Sequence, residues 1–364
     1  SSMEKIYVVS CARTPFGAFG GGLKDMTGTD LTEVAARAAL ERANVKAESV
    51  DHVVIGNVVQ SAADSAYLPR HVGLRIGLPT HVPAYAVNRL CGSGFQAWVN
   101  AAQMILTGEA SLVLAGGVEQ MSQIPYVARK VRFDGLRMGH YELEDSMTAA
   151  LTDAHIKMPM AITAENLAVK YGLTRETVDA YAIQSQKRFH AAVTRGDISP
   201  EIASVKLTTK KGEVVFDKDE HPKPDSTLEK IGAMKPVFKK DGVVTAANAS
   251  GIVDGAACSL IVGESKLKAL GLKPLAEIKA WSSVGCDPSI MGIGPVVAIQ
   301  NVLKKTGLDL NKIDLVEVNE AFSAQFLAVQ KELKLDPERT NVNGGAIAVG
   351  HPLGASGARI MNHL

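Results

Sequence analysis

The chain has almost no excess charge: 39 Lys and Arg face 38 Asp and Glu, a formal net charge of +1 over 364 residues. That balance excludes nucleic acid as the main partner, because phosphate recognition needs a basic footprint. Cysteine is scarce. The four, at positions 11, 91, 258 and 286, show no CxxC spacing. This argues against a zinc site and a disulfide framework, and favours a reducing compartment. No apolar run reaches the ~18 residues that a membrane-spanning helix requires. Ser1-Ser2-Met3 reads as a leftover ahead of the true start, with the first strand opening near Ile6; any targeting presequence is then absent or removed. What remains is 46% hydrophobic and 21% charged, the composition of a soluble globular protein of one large or two medium domains.

Strands and helices alternate. Apolar stretches predict strands over Ile6–Ser10, Val50–Val58, Ala84–Leu90 and Ser111–Gly116. Helical spacing predicts helices over Asp30–Ala43, capped by Thr29 or Asp30, over Tyr67–Ile76 and over Gly92–Thr107. This order implies a mostly parallel sheet with helices on both faces. From about Glu119 to Val244 the pattern is irregular, with helices only at Thr163–Lys170 and Arg175–Ala192, and a basic stretch over Lys206–Lys240. So long an insertion reads as a lid or binding loop. Strands return at Ala256–Gly263, Leu275–Ser283, Ile313–Val318 and Asn341–Ala348. Helices are expected over Pro295–Lys305, Ala321–Leu333 and Gly354–Leu364. The second half thus repeats the first in architecture, with weak sequence echoes.

Three segments carry chemistry. Cys91 sits in Ala86-Val-Asn-Arg-Leu-Cys91-Gly-Ser-Gly-Phe-Gln-Ala97, where a strand passes into a helix. Free N–H groups and the positive end of the helix dipole there favour a thiolate, the nucleophilic form. His351 sits in the matching turn of the second half, Gly350-His351-Pro352-Leu-Gly354-Ala-Ser-Gly357. In open α/β sheets, sites lie at the carboxyl ends of strands, so duplication brings thiol and imidazole to one edge. In Leu315-Val-Glu-Val-Asn319-Glu320-Ala321-Phe322, Asn319 either caps a helix or polarises a carbonyl or a water. Gly92-Ser-Gly-Phe-Gln-Ala97 also fits a dinucleotide-binding GxGxxA, but it follows the third strand, and the next strand ends in Gly116-Gly-Val without the acidic partner.

Arg89-Leu-Cys91-Gly-Ser-Gly, Thr245-Ala-Ala-Asn248-Ala-Ser250-Gly251, Asn319-Glu-Ala-Phe322 and Gly344–Gly357 each resemble a signature of the thiolase family, and together they span the chain. The likeness is to the mitochondrial, degradative 3-ketoacyl-CoA type. It implies two similar βαβαβαββ halves in αβαβα layers, with a loop domain inserted in the first. The halves would be residues 4–118 with 245–270, and 271–364; the inserted domain, 119–244, would bind CoA and make tetramer contacts. It implies that Cys91 attacks the keto carbonyl of a 3-ketoacyl-CoA while His351 takes the thiol proton, and that free CoA then accepts the acyl group. One oxyanion hole would use His351 and a water held by Asn319, the other the Cys91 N–H and a glycine N–H near the C-terminus.

By the same resemblance Ser250 meets the pantetheine arm, Phe238 and Ala246 line the CoA groove, and Met160, Met291, Ala321 and Phe322 line the acyl pocket. Phe238 and Met291 read equally as ordinary core. Lys223 stands where relatives often carry an arginine beside adenine, so it keeps the charge without the stacking plane. Pro159, before Met160, replaces the histidine usual in acetoacetyl-CoA thiolases and favours the broad-range type; acetoacetyl-CoA chemistry is the alternative. No cofactor is implied, CoA and acyl-CoA being substrates. Dimers or tetramers and a mitochondrial matrix location, with a cytoplasmic alternative, follow from the resemblance alone. One departure is large: the family's second active cysteine, in a Cys-x-Gly-Gly turn beyond the histidine, and the last two strands have no counterpart before Leu364. The expectation is a longer natural protein, with the 364-residue chain acylated poorly and turning over barely. Two rival classes are a decarboxylating condensing enzyme and a non-catalytic CoA- or lipid-binding relative.

Overall fold

Two strands, His52–Gly56 and Leu112–Gln120, are buried along their whole length, as expected of strands covered by helices on both faces. They form the centre of a seven-stranded sheet in a computed structural model that describes residues 3–364; Ser1 and Ser2 of the expected leftover lie outside it. The strand order is Ala276–Ile278, Ile6–Arg13, Val253–Gly263, Leu112–Gln120, His52–Gly56, Ala84–Val87, with the short Gly17–Ala18 paired to Val253 and Asp254. One face packs Val53, Ile55, Leu112 and Leu114 against helices Gly28–Ala43 and Leu68–Arg75. The other packs Val54, Val113 and Ala115 against helix Ser93–Leu106 through Ala97, Trp98 and Ala101.

The sheet is mixed rather than mostly parallel. His52–Gly56 runs parallel to both Ala84–Val87 and Leu112–Gln120. Val253–Gly263 runs antiparallel to both its neighbours, Ile6–Arg13 and Leu112–Gln120. It is not joined to Leu112–Gln120 by a single crossover helix, so the connection rule that enforces parallel pairing does not act on it. The first helix is capped by Thr27, two residues before the expected position. Thr27 and Asp30 exchange bonds in a capping box, so Asp30 is the third helical residue and not the cap.

The second half departs further. Of the expected strand Leu275–Ser283 only Ala276–Ile278 forms, and it pairs with Ile6–Val8. Ile313–Val318 and Asn341–Ala348 form no ladder: a single bridge joins Val316 to Thr340, and Ala346–Val349 turns into a short helix. A strand needs a row of paired neighbours, and one bridge does not supply it. Helices Gly294–Thr306, Ser323–Leu333 and Ser356–His363 lie close to the expected positions. Between Glu119 and Val244, helices Met160–Lys170 and Arg175–Arg195 form as expected, and the basic stretch contains the hairpin Val205–Thr209 with Gly212–Phe216.

Candidate active site

The carboxyl ends of the three parallel strands form one edge. Ala84–Val87 leads into the Cys91 turn, where Leu90 takes a left-handed backbone conformation (φ 47°). Such a conformation costs a residue with a side chain about 1–2 kcal/mol. Local bonds hold it: Leu90 N–H donates to Asn88 Oδ1 (2.9 Å), and Ser93 Oγ accepts from Arg89 N–H (2.8 Å) and donates to Leu90 O (2.6 Å). Helix Ser93–Leu106 then begins. Cys91 is half-buried among Met121, Ile124, Leu353, Val58 and Val59.

The His351 turn lies directly against it. A methyl group added to Gly94 would strike the backbone nitrogen of Ala358, and one on Gly357 would strike that of Phe95. Only glycine permits this approach. His351 N–H donates to Gly251 O (2.8 Å), and Gly354 N–H donates to Glu119 Oε1 (2.9 Å). The segments that carry the two expected partners therefore meet across one joint, with Leu353 and Cys91 in the same apolar cluster.

The His351 ring is buried. Its Nδ1 bonds Ser356 Oγ, and its Nε2 lies 3.4 Å from Asn319 Nδ2. Ser356 Oγ donates on to Pro352 O (3.4 Å), so Nδ1 carries the proton and Nε2 presents a lone pair. Burial, aided by the positive charge of Arg359, pushes the imidazole down to about 4, so it is neutral at physiological pH. Asn319 caps no helix; Phe322 occupies that position. Its Oδ1 is buried and without a protein partner among the described residues.

The Cys91 thiol departs from the sequence expectation. Burial, reinforced by the Glu119 carboxylate, pushes it up to about 11. Desolvation outweighs the helix terminus, so at rest the sulfur is a thiol and the imidazole is neutral.

The remaining expected residues fall into groups. Ala249 bridges to Phe322 and Ser250 N–H donates to Ala321 O (2.9 Å), which gathers Ser250, Ala321 and Phe322. Met160 opens a helix joined to the segment of Met291 by Asn166 Nδ2 donating to Ser289 O (2.8 Å). Phe238 lies within, and Ala246 just after, a loop closed by Val237 N–H to Val244 O (3.0 Å), and both are exposed. Phe238 is therefore no core residue, and Met291 is half-buried. Lys223 is exposed, its N–H bound to Gln186 Oε1 (2.9 Å), while Gln186 reaches Ile347 O (3.3 Å) on the histidine turn. An apolar-walled cavity of about 520 Å³ borders the site at Gly92 and Asn319. Neither Cys91, His351 nor any residue expected in the acyl pocket lines it. No group of acidic, cysteine or histidine side chains suited to a metal occurs among the described residues, and no helix is long and apolar enough to cross a membrane.

Sequence reasoning missed Ser356, although it lies inside the quoted histidine segment, and Arg359. It also missed Glu119, which it placed at the start of the irregular insertion; the strand runs on through Gln120. The available signal was a carboxylate at the end of a strand otherwise built to be buried.

Fold and site define a class: an acyltransferase in which a cysteine turn and a histidine turn face each other at a sheet edge. Residues 6–265 match the model of the thiolase N-terminal domain, and residues 272–364 that of the thiolase C-terminal domain. The human mitochondrial 3-ketoacyl-CoA thiolase is 56% identical over 363 residues, 100% of this chain and 91% of that protein. Its crystal structure superposes with a TM-score of 0.97 at 55% identity, covering 99% of this chain and 91% of that one. The same enzyme in complex with CoA superposes at 0.96, also at 55% identity, covering 99% and 90%. The chain belongs to the thiolase family and has its fold.

Proposed function

We propose that the protein cleaves 3-ketoacyl-CoA with CoA, releasing acetyl-CoA and a shortened acyl-CoA, as in fatty acid β-oxidation. Cys91 Sγ bonds to the keto carbon as its proton passes to His351 Nε2. The bond between that carbon and C2 breaks, C2 gains a proton that balances the one taken from sulfur, and acetyl-CoA leaves. The CoA sulfur then attacks the Cys91 thioester, its proton is returned to Cys91, and the acyl chain departs on CoA. Thiol and imidazole are both neutral at rest, so His351 is free to take the thiol proton. Once Nε2 holds that proton, His351 and a water held by Asn319 donate to the oxygen where charge develops, an arrangement in which one lost donor typically costs about 10²–10³ in rate. The contact of the two turns at Gly94 and Gly357 carries this reading.

CoA lies along Ser250, Phe238 and Ala246, with Lys223 at its phosphate and adenine end; Met160, Met291, Ala321 and Phe322 surround the acyl chain. Residues 119–244 act as the inserted loop domain between two halves, 4–118 with 245–270, and 271–364. Relatives named as mitochondrial support a matrix location. Phe133 and Met138, 90% and 86% exposed in the insertion, support pairing into dimers or tetramers, since exposed apolar clusters mark association surfaces.

Incubating the protein with 3-ketoacyl-CoAs of several chain lengths tests the reading. The expected result is acetyl-CoA release with CoA present, and without it an acyl adduct on the Cys91 peptide by mass spectrometry. No adduct at any length refutes it, and turnover of acetoacetyl-CoA alone selects the short-chain alternative.

A further inference from the structure

Glu119 is fully buried, yet no cationic side chain bonds it among the described residues. Its oxygens collect backbone donors from two separate turns. Oε1 accepts from Val58 N–H (3.0 Å) and Gly354 N–H (2.9 Å), and Oε2 accepts from Val59 N–H (3.0 Å) and Asn57 Nδ2 (3.1 Å). Val58 and Val59 pack beside Cys91, while Gly354 belongs to the His351 turn. The joint has no slack: methyl groups added to Gly117 or Gly354 would strike the backbone across it. Unpaired carboxylates are rarely buried, because an ionised group there loses water without gaining a counter-charge. A purely structural tie between amides needs only a neutral acceptor. The titratable groups that bear on this joint are the Cys91 thiol, from the nucleophile turn, and His351, on which Arg359 of the last helix acts.

We infer that Glu119 is a positioning residue for the thiolase reaction: its carboxylate locks the His351 turn to the loop beside Cys91. The inference rests on the acyl-Cys91 reading, and supports for it are independent in kind. The four donors fix the geometry. The carboxyl is held up to about 7 by burial against its amide donors, and the same charge is the second cause, after burial, of the raised Cys91 thiol.

Glu119→Gln separates this role from scaffolding, because labelling and turnover move in opposite directions. At about pH 8, iodoacetamide should label Cys91 several-fold faster than in the parent, since each unit by which a thiol's pKa falls raises its thiolate fraction about tenfold. Thiolysis kcat should fall at least about tenfold, with KM for CoA changed less than about twofold, as when an interaction used in the transition state is lost. Glu119→Asp keeps the charge but shortens the reach, so it should keep the parent's slow labelling and still lose kcat. It decides the matter if the Gln variant fails to fold. A Gln variant with lowered Tm but parental labelling and kcat overturns the inference, as does an Asp variant with parental kcat. If the parent itself shows no adduct on Cys91, the functional reading has failed and not this one.

Discussion

The cysteine turn and the histidine turn occupy corresponding places and are held in different ways. Residues 88–93 hold themselves: Asn88, Arg89, Leu90 and Ser93 bond one another and fix a left-handed Leu90. The histidine turn has local bonds too, from His351 to Ser356 and from Ser356 to Pro352, but it adds bonds from far along the chain, to Gly251 and to Glu119, and Gly350 sits over Val253 with φ 102°. Cys91 stays half-open, as a nucleophile must; His351 is enclosed, which fixes its protonation state. A nucleophile can be built from a short motif, whereas a tuned base needs the surrounding fold.

The largest expected effect breaks the pair itself. Cys91→Ala and His351→Ala should each lower kcat by at least about 10³-fold, and the double variant should be little worse than the poorer single one, because groups acting as a unit are grossly non-additive. Stopped assays on all three, with acyl adducts counted, check this. Additive losses would show that the turns work separately.

A smaller effect sharpens the contrast in how the turns are held. Ser356→Ala removes the acceptor that keeps the His351 proton on Nδ1. The loss of one such bond, about 1 kcal/mol, corresponds to a several-fold fall in kcat, and a shift in its acid limb should accompany it. A kcat and pH profile matching the parent's would remove Ser356 from the site.

How far the sequence revealed this arrangement follows from the same contrast. The Cys91, Asn319 and His351 segments were legible because each is a short motif. The strands His52–Gly56 and Leu112–Gln120 were legible because burial on both faces leaves continuous apolar text. The direction of Val253–Gly263 was not, since an apolar pattern says which faces are buried but not which neighbour a strand meets. For the same reason Ile313–Val318 and Asn341–Ala348 read as strands, yet the one bridge there joins Val316 to Thr340, just before the second segment. The thiol was misjudged because a helix start is visible in sequence, while desolvation and the Glu119 carboxylate arrive from a strand that read as ending earlier.

His351 and Glu119 should also pull stability in opposite directions over one pH window. His351 is held near 4, below its ordinary 6.5, by burial and then by Arg359. Between those values the unfolded chain binds a proton that the folded one refuses, so this stabilisation is complete above about pH 6.5 and is lost as pH falls toward 4. Glu119 is held near 7, above its ordinary 4.5, by burial. There the folded protein keeps a proton the unfolded chain has released, so its contribution is complete below about pH 4.5 and is lost as pH rises toward 7. In the parent the two slopes largely cancel. Relative to the parent, His351→Gln should gain stability as pH falls from 6.5 to 4, and Glu119→Gln should gain it as pH rises from 4.5 to 7. Urea midpoints at five or six pH values resolve both trends; two difference curves of the same sign would mean that one of the groups is ionised differently at rest.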